Sequence, residues 1–340
     1  MNQQGSSMVN RRQFLRMSCG GAALMLLGTV PGYGTPDSLL PTRKHIRRGR
    51  ALGTNVTFTI FHADKKAADL AIDEALAKIE HVEQLMSLYR PDSQLSILNR
   101  KGVLRYPHPD LVAILGKSAE LSKLTQGAFD VTVQPLWKLY ADHAETGSLP
   151  AETEIAKVRQ RIGWEHIRNQ PDIIYFDRAG MQVTLNGVAQ GMAADLAQQA
   201  LKQRGIEHAL IDTGELNAIG SPRQRDLWHI AVQHPRQTGS IAKTGLQDRC
   251  LSTSGDYATR FTDDYRHHHL LDPRTGLSPA KLASVSVAAP TALEADALST
   301  ALFILGPDEA KEMVESMNLV DALFVSKSGD VIKTEGFSLL

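Results

Sequence analysis

The chain has 340 residues, enough for two ordinary domains or one large one and for a core that supports a rigid cleft. Apolar residues make up 42% and charged residues 22%, which excludes both a disordered chain and a membrane bundle. Lys plus Arg is 37 and Asp plus Glu is 37, so no overall basic field exists to hold DNA or RNA, and nucleic acid is not an expected partner.

Residues 10–16 read Asn-Arg-Arg-Gln-Phe-Leu-Arg, a twin-arginine export signal, followed by an apolar stretch from Gly20 to Val30 and then Pro31-Gly-Tyr-Gly-Thr-Pro36. The apolar stretch falls well short of the ~20 residues that span a bilayer. Residues 1–34 are therefore expected to be a signal peptide that hands the folded protein to the twin-arginine export machinery, with the periplasm as destination. Without that segment 34 basic residues face 37 acidic ones. Cys19 precedes the apolar stretch, whereas a lipid-attachment cysteine follows it, so a lipoprotein is not expected. Cys250 is then a lone thiol, expected to be buried and inert. Residues 35–50 contain Pro and Arg without periodicity and are expected to link the signal to a single domain over 51–340.

From Thr54 the chain alternates (Val56, Phe58 and Ile60 against Thr57 and Thr59), which predicts a half-buried strand. Ala67 to Tyr89 carries Leu70, Ile72, Leu76, Ile79, Val82 and Leu85 at helical spacing, stopped by Pro91-Asp92. Further helices are predicted over Leu111–Leu124 and Glu152–Ile162. Strands are predicted at Met181–Leu185 and Ala209–Ile211, flanking a helix from Met192 to Arg204 that Gly205 closes. Trp228–Val232 and Ser284–Ala288 alternate as strands, Leu293–Leu305 is a strongly apolar helix ended by Gly306-Pro307, and Ala322–Ile332 is a hairpin turning at Ser328-Gly-Asp330. Mixed runs without strict strand–helix alternation predict an α+β fold with antiparallel sheet.

The chain has no Walker-type phosphate loop, no dinucleotide fingerprint and no G-x-S-x-G elbow. Four polar segments remain. Leu185-Asn-Gly-Val-Ala-Gln-Gly191 is a strand-to-helix passage whose glycines let backbone approach a ligand, or simply a tight turn. Asp296 and Thr300, four apart on an apolar helix, share one face; they are hard oxygen ligands suited to Mg²⁺, or a helix cap plus a threonine bonded back to its own helix. His267, His268 and His269 alternate in direction, which makes a zinc site from them poor and a single histidine base plausible. Leu251-Ser-Thr-Ser-Gly-Asp-Tyr257 reads as a hydroxyl-rich helix start.

In order along the chain, Leu52-Gly-Thr54, Met86-Ser-Leu-Tyr-Arg-Pro-Asp-Ser93 with Leu95 and Asn99, Gly127-Ala-Phe-Asp-Val-Thr-Val-Gln-Pro135, Asn186-Gly-Val-Ala-Gln-Gly191, Ser252-Thr-Ser-Gly-Asp-Tyr257, His269-Leu-Leu-Asp-Pro-Arg-Thr-Gly276 and Ala295-Asp-Ala-Leu-Ser-Thr300 resemble the ApbE-type FAD:protein FMN transferases. The resemblance spans nearly everything after residue 50. It implies a two-lobed α+β fold with mixed or antiparallel sheets, a flavin cleft between the lobes, FAD as substrate and Mg²⁺ at the pyrophosphate. It implies flavin contacts at Leu52, Tyr89, Ala128, Phe129, Asp130, Thr184, Gln190 and Leu271, metal contacts at Gly187, Asp296 and Thr300, and a base at His269. The implied reaction moves FMN from FAD to a Ser or Thr hydroxyl of an exported or membrane-anchored flavin-acceptor protein and releases AMP.

The chain departs from the family pattern at Thr184, where Asp is usual, at Gln190, where Lys is usual, and at Gly214-Glu215, where a Gly-Gly pair is common. The lost lysine removes a point charge near the phosphates. Two other readings fit the same residues: a non-catalytic FAD carrier or assembly factor, and an FAD pyrophosphatase with water in place of the acceptor hydroxyl. The export signal together with Gln190 is similar to the accessory proteins of nitrous-oxide respiration.

Overall fold

The computed structural model describes residues 43–222 and 226–340. The expected signal peptide lies outside the described residues, as does the first half of the expected linker. The described end of that linker is not one: Lys44–Ala51 (β1) pairs antiparallel with Thr54–Phe61 (β2) along its whole length. Its alternation is between half-covered and exposed positions, as an edge strand with a basic outer face allows, so no apolar periodicity marks it.

Lys65–Met86 (α1) follows, capped by the Asp64 carboxylate, which accepts from the Lys66 and Ala67 amides. It stops at Met86, three residues before the predicted end, and leaves Leu88-Tyr89 in a turn. Gln94–Lys101 (α2), Val103–Arg105 (β3), Pro109–Leu124 (α3), Gln134–Glu145 (α4), Glu152–Arg159 (α5), Ile167–Asn169 (β4) and Ile173–Phe176 (β5) come next. The second half contains Ala189–Gln203 (α6), Ala209–Asp212 (β6), Leu216–Ile219 (β7), Trp228–Gln233 (β8), Ser240–Leu246 (β9), Cys250–Gly255 (β10), Leu282–Ala289 (β11), Ala292–Leu305 (α7), Pro307–Glu315 (α8), Asp321–Ser326 (β12) and Val331–Lys333 (β13).

Eight strands form the main sheet in the order β1-β2-β6-β7-β10-β11-β12-β13, antiparallel at every step, as the absence of strict βαβ alternation predicts. Helices α1, α6 and α7 bury their apolar faces on one side, around Val56, Ile79, Ala197, Leu298 and Phe303. The β8–β9 hairpin covers the other side through Trp228, Ile230 and Val232, packed on Leu210, Leu216 and Leu323. A separate cluster of Leu136, Tyr140, Ile155, Ile162 and Leu271 builds the smaller lobe from α4, α5 and the loop before β11.

Two predicted elements take other forms. Met181–Leu185 joins no sheet among the described residues; the Asn99 amide stands in for a neighbouring strand, donating to the Val183 carbonyl and accepting from its N–H, each at 2.7 Å. Residues 251–255 are not a helix start but part of β10, held between β7 and β11 near the middle of the main sheet. The residue that faces the helix layer here is a serine, and its partner on α7 is also polar: the Ser252 and Ser299 hydroxyls lie 3.3 Å apart. Polar residues paired in this way erase the apolar alternation by which strands are recognised.

Candidate functional site

One cavity is bounded by both lobes. The turn after α1 supplies Tyr89, the segment after α3 supplies Ala128, Phe129 and Asp130, and the passage into α6 supplies Thr184, Gly187 and Gln190. The loop after β10 adds His269 and Leu271, and α7 presents Asp296, Thr300 and Ile304, one helical turn apart along a single face. Of the residues expected to form the site, all but Leu52 line this cavity. Leu52 sits in a turn at φ +52° and donates its amide to Glu83 on α1 at 2.9 Å, a contact that fixes the β1–β2 hairpin on the helix.

The bland readings of Asp296 and Thr300 are taken by their neighbours. The N-terminus of α7 is capped by Thr291, which accepts from the Glu294 amide, and by Asp195 of α6, which accepts from Ala292 and Leu293 at 2.8 and 3.0 Å. The hydroxyl that bonds back to its own helix is Ser299, on the Asp296 carbonyl. Asp296 is thus left with one hydrogen bond, from the Gly191 amide at 3.1 Å, and Thr300 turns to the Ser254 hydroxyl at 3.2 Å. A Cβ at Gly187 would lie 3.4 Å from the Thr300 hydroxyl, which places this backbone beside the helix.

Burial raises the Asp296 carboxyl well above its usual range, and the Gly191 amide offsets only part of the effect. Asp130 is pushed up to about 6 by burial, against the hydrogen bonds it accepts from the Thr132 amide, the Thr132 hydroxyl and the Trp164 amide. His269 is pushed down to about 4 by burial, so its ring is neutral at pH 7. Nδ1 lies 3.1 Å from the Thr259 carbonyl, which only accepts; the proton therefore sits on Nδ1 and Nε2 keeps its lone pair. His267 and His268 do not line the cavity: His267 stacks on Tyr140, and His268 is buried with its ring edge against Phe303.

Gln190, where a lysine was expected from the family pattern, donates its amide to the Thr213 carbonyl at 2.6 Å. Gly214, at φ +98°, makes this approach possible, because a Cβ there would fall 2.3 Å from the amide nitrogen. Glu215 is a cavity residue that the sequence motifs did not single out as part of the site. It is 6% exposed, its Oε2 has no hydrogen-bond partner, and burial together with the neighbouring Asp296 raises its carboxyl well above the usual range. Its one mark in the sequence is the Gly214-Glu215 departure from the family's Gly-Gly pair, and the fold brings it to the cavity.

The donors that converge near α7 are hard oxygens: the Asp296 carboxylate, the Thr300 hydroxyl and the Gly187 backbone. With an orphaned carboxylate oxygen beside them, they fit a cation such as Mg²⁺. A second cluster, His81, His108 and Asp110, lies apart from the cavity on α1 and the start of α3, where Asp110 accepts from the His81 ring at 2.8 Å.

The sequence model of the ApbE family matches residues 52–324. The FAD:protein FMN transferase of Escherichia coli K12 is 31% identical over 334 residues, covering 94% of this chain and 95% of that protein. Among solved structures, the ApbE protein of Thermotoga maritima superposes with a TM-score of 0.77 at 26% identity, over 86% of this chain and 97% of that one. The flavinyl transferase ApbE of Pseudomonas stutzeri gives 0.77 at 29% identity, over 88% and 97%. Matched over residues 52–324 by the family model and over most of its length by relatives and solved structures, the chain belongs to the ApbE family.

Proposed function

We propose that this ApbE-family enzyme transfers FMN from FAD to a Ser or Thr hydroxyl of a partner flavoprotein, with release of AMP, and that it depends on Mg²⁺. The observation that carries the reading is the convergence of Asp296, Thr300 and Gly187 on the same cavity as a neutral His269. Relatives named FAD:protein FMN transferase over nearly their full length support it.

In this reading Tyr89, half exposed at the cavity mouth, offers its ring to the isoalloxazine, and Phe129 with Leu271 supplies apolar walls. Thr184 and Gln190 present neutral polar groups toward the ribityl and phosphate portion. Asp296, Thr300 and the Gly187 carbonyl would hold Mg²⁺, which would supply positive charge against the pyrophosphate. Nε2 of His269 accepts the proton of the incoming hydroxyl. Its oxygen bonds to the FMN phosphorus as the bond from that phosphorus to the AMP oxygen breaks, so AMP leaves with the charge. The twin-arginine motif supports a periplasmic setting for the reaction, with an exported or membrane-anchored electron-transfer protein as acceptor and passage through the twin-arginine machinery beforehand.

The test is mass spectrometry of a flavin-acceptor domain incubated with the protein, FAD and Mg²⁺, alongside measurement of AMP. A mass gain equal to FMN with matching AMP is the expected result. AMP with free FMN and an unmodified acceptor would point to a pyrophosphatase. Flavin binding with neither product would point to a carrier.

A further inference from the structure

Glu215 lies in the turn between β6 and β7, on the wall of the flavin cavity, and 6% of it is exposed. Its Oε2 has no hydrogen-bond partner. A buried carboxylate oxygen without a partner is costly, and the fold keeps one only where something else satisfies it. The Ser252 hydroxyl hydrogen-bonds the carboxyl, yet Oε2 stays without a partner among the described residues, and the ionisable neighbours Asp296 and Asp212 both carry the same sign. The described residues that line the cavity include three acids, Asp130, Glu215 and Asp296, and no Lys or Arg. Gln190 is neutral, and its amide is committed to the Thr213 carbonyl. A dianionic pyrophosphate entering such a cavity would add charge of the same sign.

Resting on the transferase reading above, we propose that Glu215 is a ligand of the cation site, so that this chain holds its divalent cation with two carboxylates, Glu215 and Asp296, before FAD arrives. The donor set is then two carboxylate oxygens, the Thr300 hydroxyl and the Gly187 carbonyl, four hard oxygens from residues lining one cavity, which leaves a six-coordinate cation positions for phosphate oxygens and water. A site completed by protein carboxylates binds its cation without help from the nucleotide. It also neutralises the two carboxylates, which lowers the electrostatic cost for an anionic ligand to enter a cleft lacking basic side chains.

The experiment titrates Mn²⁺, as a paramagnetic stand-in for Mg²⁺, into flavin-free full-length protein and reads bound metal by electron paramagnetic resonance. Wild type is expected to bind one Mn²⁺ per chain without FAD, and Glu215→Gln and Glu215→Ala to bind at least tenfold more weakly. Melting of the metal-free proteins in EDTA supplies a second readout. Removal of an unpaired buried carboxylate is expected to leave the melting temperature unchanged or raised. Variants that keep wild-type Mn²⁺ affinity, or that are unfolded in EDTA, overturn the assignment and make Glu215 structural. Mn²⁺ that binds wild type only when FAD is present also overturns it, yet leaves the transferase reading intact. Mn²⁺ that binds under neither condition removes the metal from that reading as well.

Discussion

The backbone amide of Gly191 donates to Oδ2 of Asp296 at 3.1 Å and ties the first turn of α6 to the cavity-facing side of α7. The contact requires glycine. A Cβ at position 191 would lie 2.4 Å from the Ala292 carbonyl oxygen and 2.6 Å from the Leu293 Cα, both backbone atoms that cannot rotate away. Gly191→Ala is expected to cost about 2–3 kcal/mol, the upper range for an overpacked core, and to weaken FAD binding because Asp296 moves with its helix. Urea unfolding and flavin titration check this, and an unchanged midpoint would show that the two helices are free to separate.

Asp296 itself is predicted to matter for chemistry more than for folding. It does not cap α7, and its one hydrogen bond is replaceable by a neutral isostere. Asp296→Asn should abolish flavin transfer while the melting temperature in EDTA stays at or above that of wild type, since a buried charge has been removed. Mg²⁺ should raise the wild-type melting temperature and leave that of the variant unchanged, because a ligand stabilises only a native state that binds it. A variant that melts far below wild type in EDTA would assign Asp296 a structural role.

His269 supplies a pH dependence whose sign follows from burial. Its folded pKa, about 4, lies below the ordinary histidine value of about 6.5. Between these values the unfolded chain binds a proton that the native chain does not, so unfolding free energy rises with pH across the window. The contribution is complete above pH 6.5 and is lost as the pH falls toward 4. Replacing the ring by Gln should flatten the stability–pH slope between pH 4.5 and 6 by up to about 1 kcal/mol per unit. An identical slope for both proteins would mean that the native ring titrates as it does in the unfolded chain and that burial does not lower its pKa.

These residues also mark how far the sequence carries. The amphipathic run of α1, the apolar α7 and the antiparallel sheet were legible because their periodicity reports one-sided burial. Asp296, Thr300 and His269 were legible as a constellation only through the order of the family motifs, since a carboxylate on a buried helix serves equally well as a cap until Thr291 and Asp195 are seen to hold that place. β10 was misread because its serines face the hydroxyls of α7 in place of an apolar layer. β1 was missed because a basic edge strand has no buried face to advertise. Glu215 reaches the cavity through pairing of β6 with β7, a contact that residue spacing does not encode.

Gln190 gives the sharpest test of how this cavity manages charge. Its amide donates to the Thr213 carbonyl, and Glu215 and Asp296 line the same cavity without a basic residue. A neutral donor at position 190 leaves the cation with a larger share of the charge that develops as AMP departs, so the wild-type rate should depend steeply on Mg²⁺ concentration. Gln190→Lys returns a positive charge to the wall. Its ammonium can still donate to Thr213, and the buried carboxylates offset the cost of burying it. The variant should keep or raise the rate of AMP release and acceptor flavinylation, and its Mg²⁺ dependence should be shallower than that of wild type. AMP and acceptor mass are measured for both proteins at several Mg²⁺ concentrations. Equal steepness in the two would show that position 190 does not share the charge. If neither protein released AMP or shifted the mass of a proven acceptor, the cavity would be a binding site for FAD and not a transferase centre.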